Sequence, residues 1–214
     1  MSTFETVIDL LFIAGMVALG GMTLIGWLLI SRKSQARQTR VVGANSWFLS
    51  ASIWAKILFT FMAVPVWLYL FYLLWRPFVA VSPDVSPILR VVGLVLFLAG
   101  GMFVIWARWT LGKNWAISTS AGVQLQTEHR LIQSGPFALV RHPMYLGGWV
   151  TLGGITLAYH TWAALILLLS TAIFVYRARI EETALSETFG REWRTYTARV
   201  PRFIPHLRQR AIAE

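Results

Sequence analysis

The chain has 214 residues, of which 57% are hydrophobic and only 13% charged, with no cysteine and a formal net charge of +10. A soluble domain carries about 25% charged residues, so this sequence lacks the polar surface to cover itself in water. The absence of cysteine excludes disulfides, thiolate metal sites and cysteine nucleophiles. Its positive charge lies between and after the apolar stretches, where membrane topology and anionic headgroups call for it, which argues against nucleic acid as a partner.

The N-terminus carries Glu5 and Asp9 ahead of its apolar run and basic residues only after it, the reverse of a secretory signal peptide. Val7 to Ile30 is therefore expected to be a retained first span, long enough at 1.5 Å per residue for a hydrocarbon core of about 30 Å. Ser31 to Arg40 follows with Arg32, Lys33, Arg37 and Arg40 and no acid. A second span is expected from about Ser50 to Trp75; its single lysine, Lys56, reads either as snorkelling to the interface or as a polar contact within the bundle. Residues 76–90 hold Pro77, Pro83 and Pro87 and nearly balanced charge, a loop leading into a third span over about Ile88 to Ala107.

A polar stretch from Arg108 to Arg141 separates these from Met144 to Arg179, apolar except at Tyr159-His160-Thr161. That interruption predicts a helical hairpin of two short spans. The tail from Arg177 onward contains eight arginines and cannot span. Three basic regions (residues 31–40, the linker with Arg108, Lys113, Arg130 and Arg141, and the tail) fall on one side only if there are five spans with the N-terminus outside. The expected fold is an all-α polytopic bundle in one domain: three N-terminal spans over 1–107, then 108–214 with linker, hairpin and polar cytoplasmic cap. A multi-pass protein of a cell inner membrane fits this order. Trp75, Trp106, Trp109 and Trp162 stand near span ends, where amphipathic rings favour the interface.

What apolar packing leaves unexplained lies between Leu111 and Pro205. Arg141 and His142 precede Pro143, which can open a helix at its first turn; helix amides and a cation there could hold a carboxylate. Arg177 and Glu181 are four apart and share one face of the following helix. The two ends of a hairpin lie side by side, so both pairs can converge at one depth. A cationic amino-acid sulfonium needs this mixture of acid, base and aromatic floor. Taken singly, Arg141 and Arg177 also read as topology determinants, and Glu181-Glu182 as a solvated pair. Gly147, Thr151 and Gly154 form a small-residue stripe that suits close hairpin packing, or the approach of a cofactor. His129 and His142 lack partners at metal-ligand spacing, so no metal is expected, and neither a P-loop nor a dinucleotide fingerprint is present.

The string H-x-L-x-x-x-G-x-F-x-x-x-R-H-P-x-Y-x-G from His129 to Gly147, followed about thirty residues on by R-x-x-x-E-E-x-x-L from Arg177 and F-G-x-E-W-x-x-Y from Phe189, resembles the isoprenylcysteine carboxyl methyltransferase family. The resemblance spans roughly Leu111 to Pro205; the first hundred residues match only as spans. It implies S-adenosylmethionine as cofactor, contacted by His129, Arg130, Leu131 and Ile132, by Phe137, by His142, Pro143, Met144 and Tyr145, and by Glu181. It implies Arg177 as the contact to the substrate, with Arg177 and Glu181 as catalytic residues and a lipophilic or prenylated acceptor entering from the bilayer. The family usually has tyrosine at Phe137, so a hydroxyl contact is lost there while ring stacking survives. Membrane sterol reductases using NADPH also resemble the chain around Leu139 to Gly147 and in the tail. A thiol or amine acceptor, or a non-enzymatic transporter or scaffold, completes the alternatives.

Overall fold

The computed structural model describes residues 3–34, 39–42, 53–112, 123–126 and 130–205, with backbone alone for 26–34, 39–42, 53, 55–60 and 123–126. Lys113–Trp115 and His129 lie outside the described residues, and the Lys56 side chain is among those not described.

Among the described residues six helices follow in order: α1 (Thr3–Ser34), α2 (Ile53–Leu74), α3 (Ser86–Leu111), α4 (Pro143–Tyr159), α5 (Trp162–Ser170) and α6 (Ile173–Arg199). A 3-10 turn, Gly135–Ala138, precedes α4. Three apolar runs among the described residues are long enough to cross a membrane, within Thr3–Ile25, Ser86–Leu111 and Trp162–Arg199. With the apolar α2 and α4 they form an all-α membrane bundle. One departure from it is a pair of four-residue antiparallel strands, β1 (Thr39–Val42) and β2 (Val123–Gln126), in register Thr39 to Gln126. It ties the first basic loop to the linker, a link that apolar periodicity does not encode.

The predicted hairpin is present, turning at His160, whose backbone is left-handed (φ 51°) and whose amide caps α4 on Thr156. Thr161 opens α5 by accepting from the Ala164 amide. At 17 residues α4 is about 26 Å long, just short of the hydrocarbon thickness. The second arm is broken at Thr171–Ala172, where Trp149 Nε1 donates to the Thr171 carbonyl at 3.4 Å. A side chain entering the helical ladder is a standard cause of such a break.

The expectation of glycine packing inside the hairpin needs correcting: the glycine stripe of α4 packs on α3. A Cβ on Gly154 would come within 2.5 Å of the Gly93 carbonyl, and one on Gly147 within 2.8 Å of the Gly100 carbonyl. Matching glycines on α3 make that the closer partner, as small residues do in membrane bundles. Phe12 of α1 fits beside Phe97, with Ile8, Leu94 and Ala158 completing the buried cluster. At the same end Asp9, the acid inside the first span, lies 3.3 Å from Arg90 and accepts from the Tyr159 hydroxyl at 2.9 Å. Residues 76–78 meet the hairpin turn there too, with Phe78 N on His160 O at 2.8 Å and Trp162 N on Arg76 O at 3.0 Å. The two loops expected on a common side therefore are together, and the arginine-rich hairpin base lies at the other end.

Candidate active site

Four segments meet at the base of the hairpin: the turn 134–140, the start of α4, the middle of α6 and the tail 200–203. Pro136, Val140 and Pro143 are fully buried and Phe137 nearly so. The Tyr196 hydroxyl donates to the Phe137 carbonyl at 2.7 Å. Gly190, at φ 47°, kinks α6, a backbone conformation that glycine takes without cost. Beyond that kink Trp193, Tyr196 and Val200 fold into a cluster with Leu131 and Leu185.

The tail then straps the head of α4. Arg141 N donates to Pro201 O at 2.8 Å and His142 N to Arg202 O at 3.1 Å. Phe203 packs on the rings of His142 and Trp149, with centroids 5.6 and 4.8 Å apart.

Inside the strap lies an ionic cluster centred on Glu182, which is 9% exposed. Arg202 grips it with a fork, Nε to Oε1 at 2.9 Å and Nη2 to Oε2 at 2.5 Å. His142 Nε2 is 3.0 Å and Arg141 Nη1 3.3 Å from Oε1. Burial alone would raise the Glu182 carboxyl, but the hydrogen bonds from His142 and Arg202 and the charge of Arg141 outweigh it and hold it down at about 2. The carboxylate is thus ionised, so Nε2 of His142 must be the donor. Burial would lower the His142 imidazole, yet its contacts with Glu181 and Glu182 prevail and raise it toward the imidazolium.

Two sequence expectations change here. Glu182 is not one of a solvated pair: it is the hub of the cluster. Arg141 is not aimed at a ligand carboxylate, because it is turned onto Glu182 and its own amide is capped by the tail. Arg202 did not stand among the expected site residues, and Glu182 did so only as a candidate base for an amine or thiol acceptor. The available signal was the Glu181-Glu182 doublet, which on a helix puts the two carboxylates about 100° apart, so that both cannot face one ligand.

Glu181 faces differently. Its Oε1 accepts from the Tyr145 hydroxyl at 2.5 Å, and Oε2 is 3.6 Å from His142 Nδ1. Arg177, one turn earlier, also interacts with the Tyr145 hydroxyl. Tyr145 is stacked between His142 (5.5 Å, 8°) and Phe174 (4.8 Å, 18°). Arg177, Glu181, His142 and Tyr145 therefore converge as expected, next to Pro143. Met144 and Ile132 are half-buried, Arg130 is exposed, and Leu131 packs into the tail cluster. A shallow groove of about 420 Å³ along α6, lined by Arg179, Glu182, Thr183, Ser186, Glu187 and Arg202, includes none of the expected cofactor residues. Among the described residues no cluster suits a metal ion.

Residues 88–192 match the phospholipid methyltransferase family. The chain is also 30% identical over 130 residues to the Delta(14)-sterol reductase TM7SF2 of Mus musculus, a match covering 56% of this chain and 29% of the reductase. The chain thus spans less than a third of that relative's length. The family segment takes in Phe137, Arg141, His142, Tyr145, Arg177, Glu181 and Glu182 and stops short of the tail strap. Through this segment, just under half of its length, the chain is similar to the phospholipid methyltransferase family.

Proposed function

We propose that this chain is a membrane methyltransferase that takes a methyl group from S-adenosylmethionine and passes it to a lipophilic acceptor, with a carboxylate of the isoprenylcysteine type as the acceptor its residues suit best. The observation that carries the reading is the Glu181 carboxylate seated on Tyr145 beside an aromatic stack, within a segment similar to a family of methyltransferases. The donor set fits the cofactor, with a carboxylate for an ammonium and flat rings for an adenine, and it leaves a guanidinium one turn from the acid for the acceptor. When bound, S-adenosylmethionine supplies the methyl group on a sulfonium.

The protein's tasks are then orientation and exclusion of water. Glu181 and Tyr145 bind the cationic end, and the resemblance assigns further cofactor contacts to Phe137, His142, Pro143, Met144 and the 129–132 stretch. Arg177 orients the acceptor carboxylate, for which a planar fork is suited. Such a carboxylate, with an ordinary pKa near 3.5, is already ionised at neutral pH and needs no base. An amine or thiol acceptor would need one, for which Glu181, Glu182 and His142 are the candidates; of these Glu182 is held in the ionic cluster and His142 is raised toward its charged form, which leaves Glu181.

The likeness to a sterol reductase supports a second reading, in which NADPH is the ligand. Calorimetry of the purified protein with S-adenosylmethionine and with NADPH separates the two. The expected result is binding of S-adenosylmethionine alone, weakened about tenfold or more in Glu181→Gln, since losing a charge-assisted contact costs a few kcal/mol. Binding of NADPH without S-adenosylmethionine overturns the proposal.

A further inference from the structure

The tail residue Arg202 lies outside the family segment and is 35% exposed at its side chain, yet it holds the buried core of the site from two directions. Its carbonyl accepts from the His142 amide at 3.1 Å, and its guanidinium clasps both oxygens of Glu182 at 2.9 and 2.5 Å. Glu182 in turn lies 3.0 Å from His142 Nε2. A closed ring results: backbone of His142 to backbone of Arg202, guanidinium to Glu182, carboxylate back to the imidazole. Arg141 also reaches Glu182, but at 3.3 Å and with one nitrogen. A fork on two oxygens fixes the plane of a carboxylate; a single contact does not.

We propose that Arg202 is a positioning residue for the cofactor site: by locking Glu182 onto Nε2 of His142 it decides which of two adjacent carboxylates is kept from the ligand, leaving Glu181 to meet the cationic end of the cofactor. This rests on the methyltransferase reading above. The groups facing His142 are Glu181 and Glu182 from α6, Tyr145 from its own helix, Phe203 and Arg202 from the tail and its neighbour Arg141. Without the fork, Glu182 keeps its charge but loses its fixed plane. His142 can then turn with it, and the Tyr145 ring stacked on His142 follows. Glu181 is disturbed at second hand, through a residue that touches neither cofactor nor acceptor.

The test uses the full chain in detergent and two readouts. The first is S-adenosylmethionine affinity by calorimetry for wild type, Arg202→Gln, Arg202→Lys, Glu182→Gln and the double variant Arg202→Gln/Glu182→Gln. Arg90→Gln, which breaks an ion pair at the opposite end of the bundle, serves as a control for general destabilisation. The second readout is the ring Nε2–H signal of His142 at pH 6 in protein labelled with 15N-histidine, assigned by its loss in His142→Gln. Arg202→Gln is expected to weaken cofactor binding about tenfold or more, with partial recovery in Arg202→Lys and no change in Arg90→Gln. The double variant is expected to be no worse than Glu182→Gln alone, because a positioning residue has nothing left to hold. The protected Nε2–H signal should be present in wild type and lost in Arg202→Gln. Affinity within twofold of wild type in Arg202→Gln, or losses that simply add in the double variant, overturns the proposal. So does an Nε2–H signal equally protected in both proteins. If wild type binds no S-adenosylmethionine but Arg202→Gln still loses the Nε2–H signal, the methyltransferase reading fails while the hold of Arg202 on His142 stands.

Discussion

Adjacent glutamates of the same helix should respond in opposite ways to the same substitution. Glu182→Gln removes the negative charge around which Arg202, Arg141 and His142 are gathered. The remaining amide can still accept one hydrogen bond, but two guanidiniums and an imidazolium are left gathered around a position that is itself only 9% exposed. Removing one partner of a buried ion pair costs roughly 3–5 kcal/mol, and holding a carboxyl at about 2 against an ordinary value near 4.3 is by itself worth ~3 kcal/mol. The two figures describe the same interaction and agree in size. Glu181→Gln, by contrast, keeps an acceptor for the Tyr145 hydroxyl and should cost no more than about 1 kcal/mol in stability, while losing most of its cofactor affinity. Thermal or denaturant unfolding in detergent, followed by helicity, measures the first quantity and calorimetry the second. If Glu182→Gln unfolds like wild type, or Glu181→Gln is the less stable of the two, the division of labour drawn from the hydrogen bonds is wrong.

Stability should also depend on pH from both sides. Glu182 is depressed, so its contribution is complete above the ordinary carboxylate range and is lost as the pH falls toward about 2. His142 is raised, so its contribution is complete below about 6.5 and is lost as the pH rises through its elevated value; an unfolding midpoint that stays level into mild alkali would contradict this. For Arg177→Lys, turnover on a prenylcysteine-type acceptor should fall by about tenfold or more while cofactor affinity stays within a few-fold, because lysine lacks the planar fork; loss of cofactor binding instead would move Arg177 onto the cofactor. Cysteines placed singly at Ser2 and Ala213 in this cysteine-free chain should label from opposite faces of sealed vesicles, and labelling from the same face would rule out five spans.

Much of the frame was legible because a membrane imposes few choices. Apolar runs of 17 or more residues, charge confined between them and a polar turn at Tyr159-His160-Thr161 lead directly to helices and a hairpin; the ends of the first four helices fall within a few residues of those expected, while α6 runs on to Arg199, well past the expected end of the hairpin at Arg179. Register between helices was not legible. The stripe of Gly147, Thr151 and Gly154 announces a close contact but carries no address, and only the matching glycines at Gly93 and Gly100 decide that α3 receives it. The break at Thr171 was equally hidden, since no glycine or proline marks it and Trp149 meets the Thr171 carbonyl from the other arm.

The site shows the same division more sharply. Motif spacing brought Arg177, Glu181, His142 and Tyr145 together correctly, because each pair is separated by whole turns of one helix or by the two arms of one hairpin. What spacing could not supply was the assignment of partners among like groups. Arg141, Arg177 and Arg202 are chemically identical, as are Glu181 and Glu182, and a sequence offers six pairings where the fold selects a few. The selection comes from the tail: Val200 docks with Trp193 and Tyr196, Pro201 and Arg202 turn their carbonyls onto the head of α4, and the guanidinium that follows has one buried carboxylate within reach. Glu182 is thereby withdrawn into the scaffold and Arg141 with it. The acid and the arginine that remain beside Tyr145 are Glu181 and Arg177, one helical turn apart, a spacing at which one can meet a cationic group while the other orients a neighbouring carboxylate.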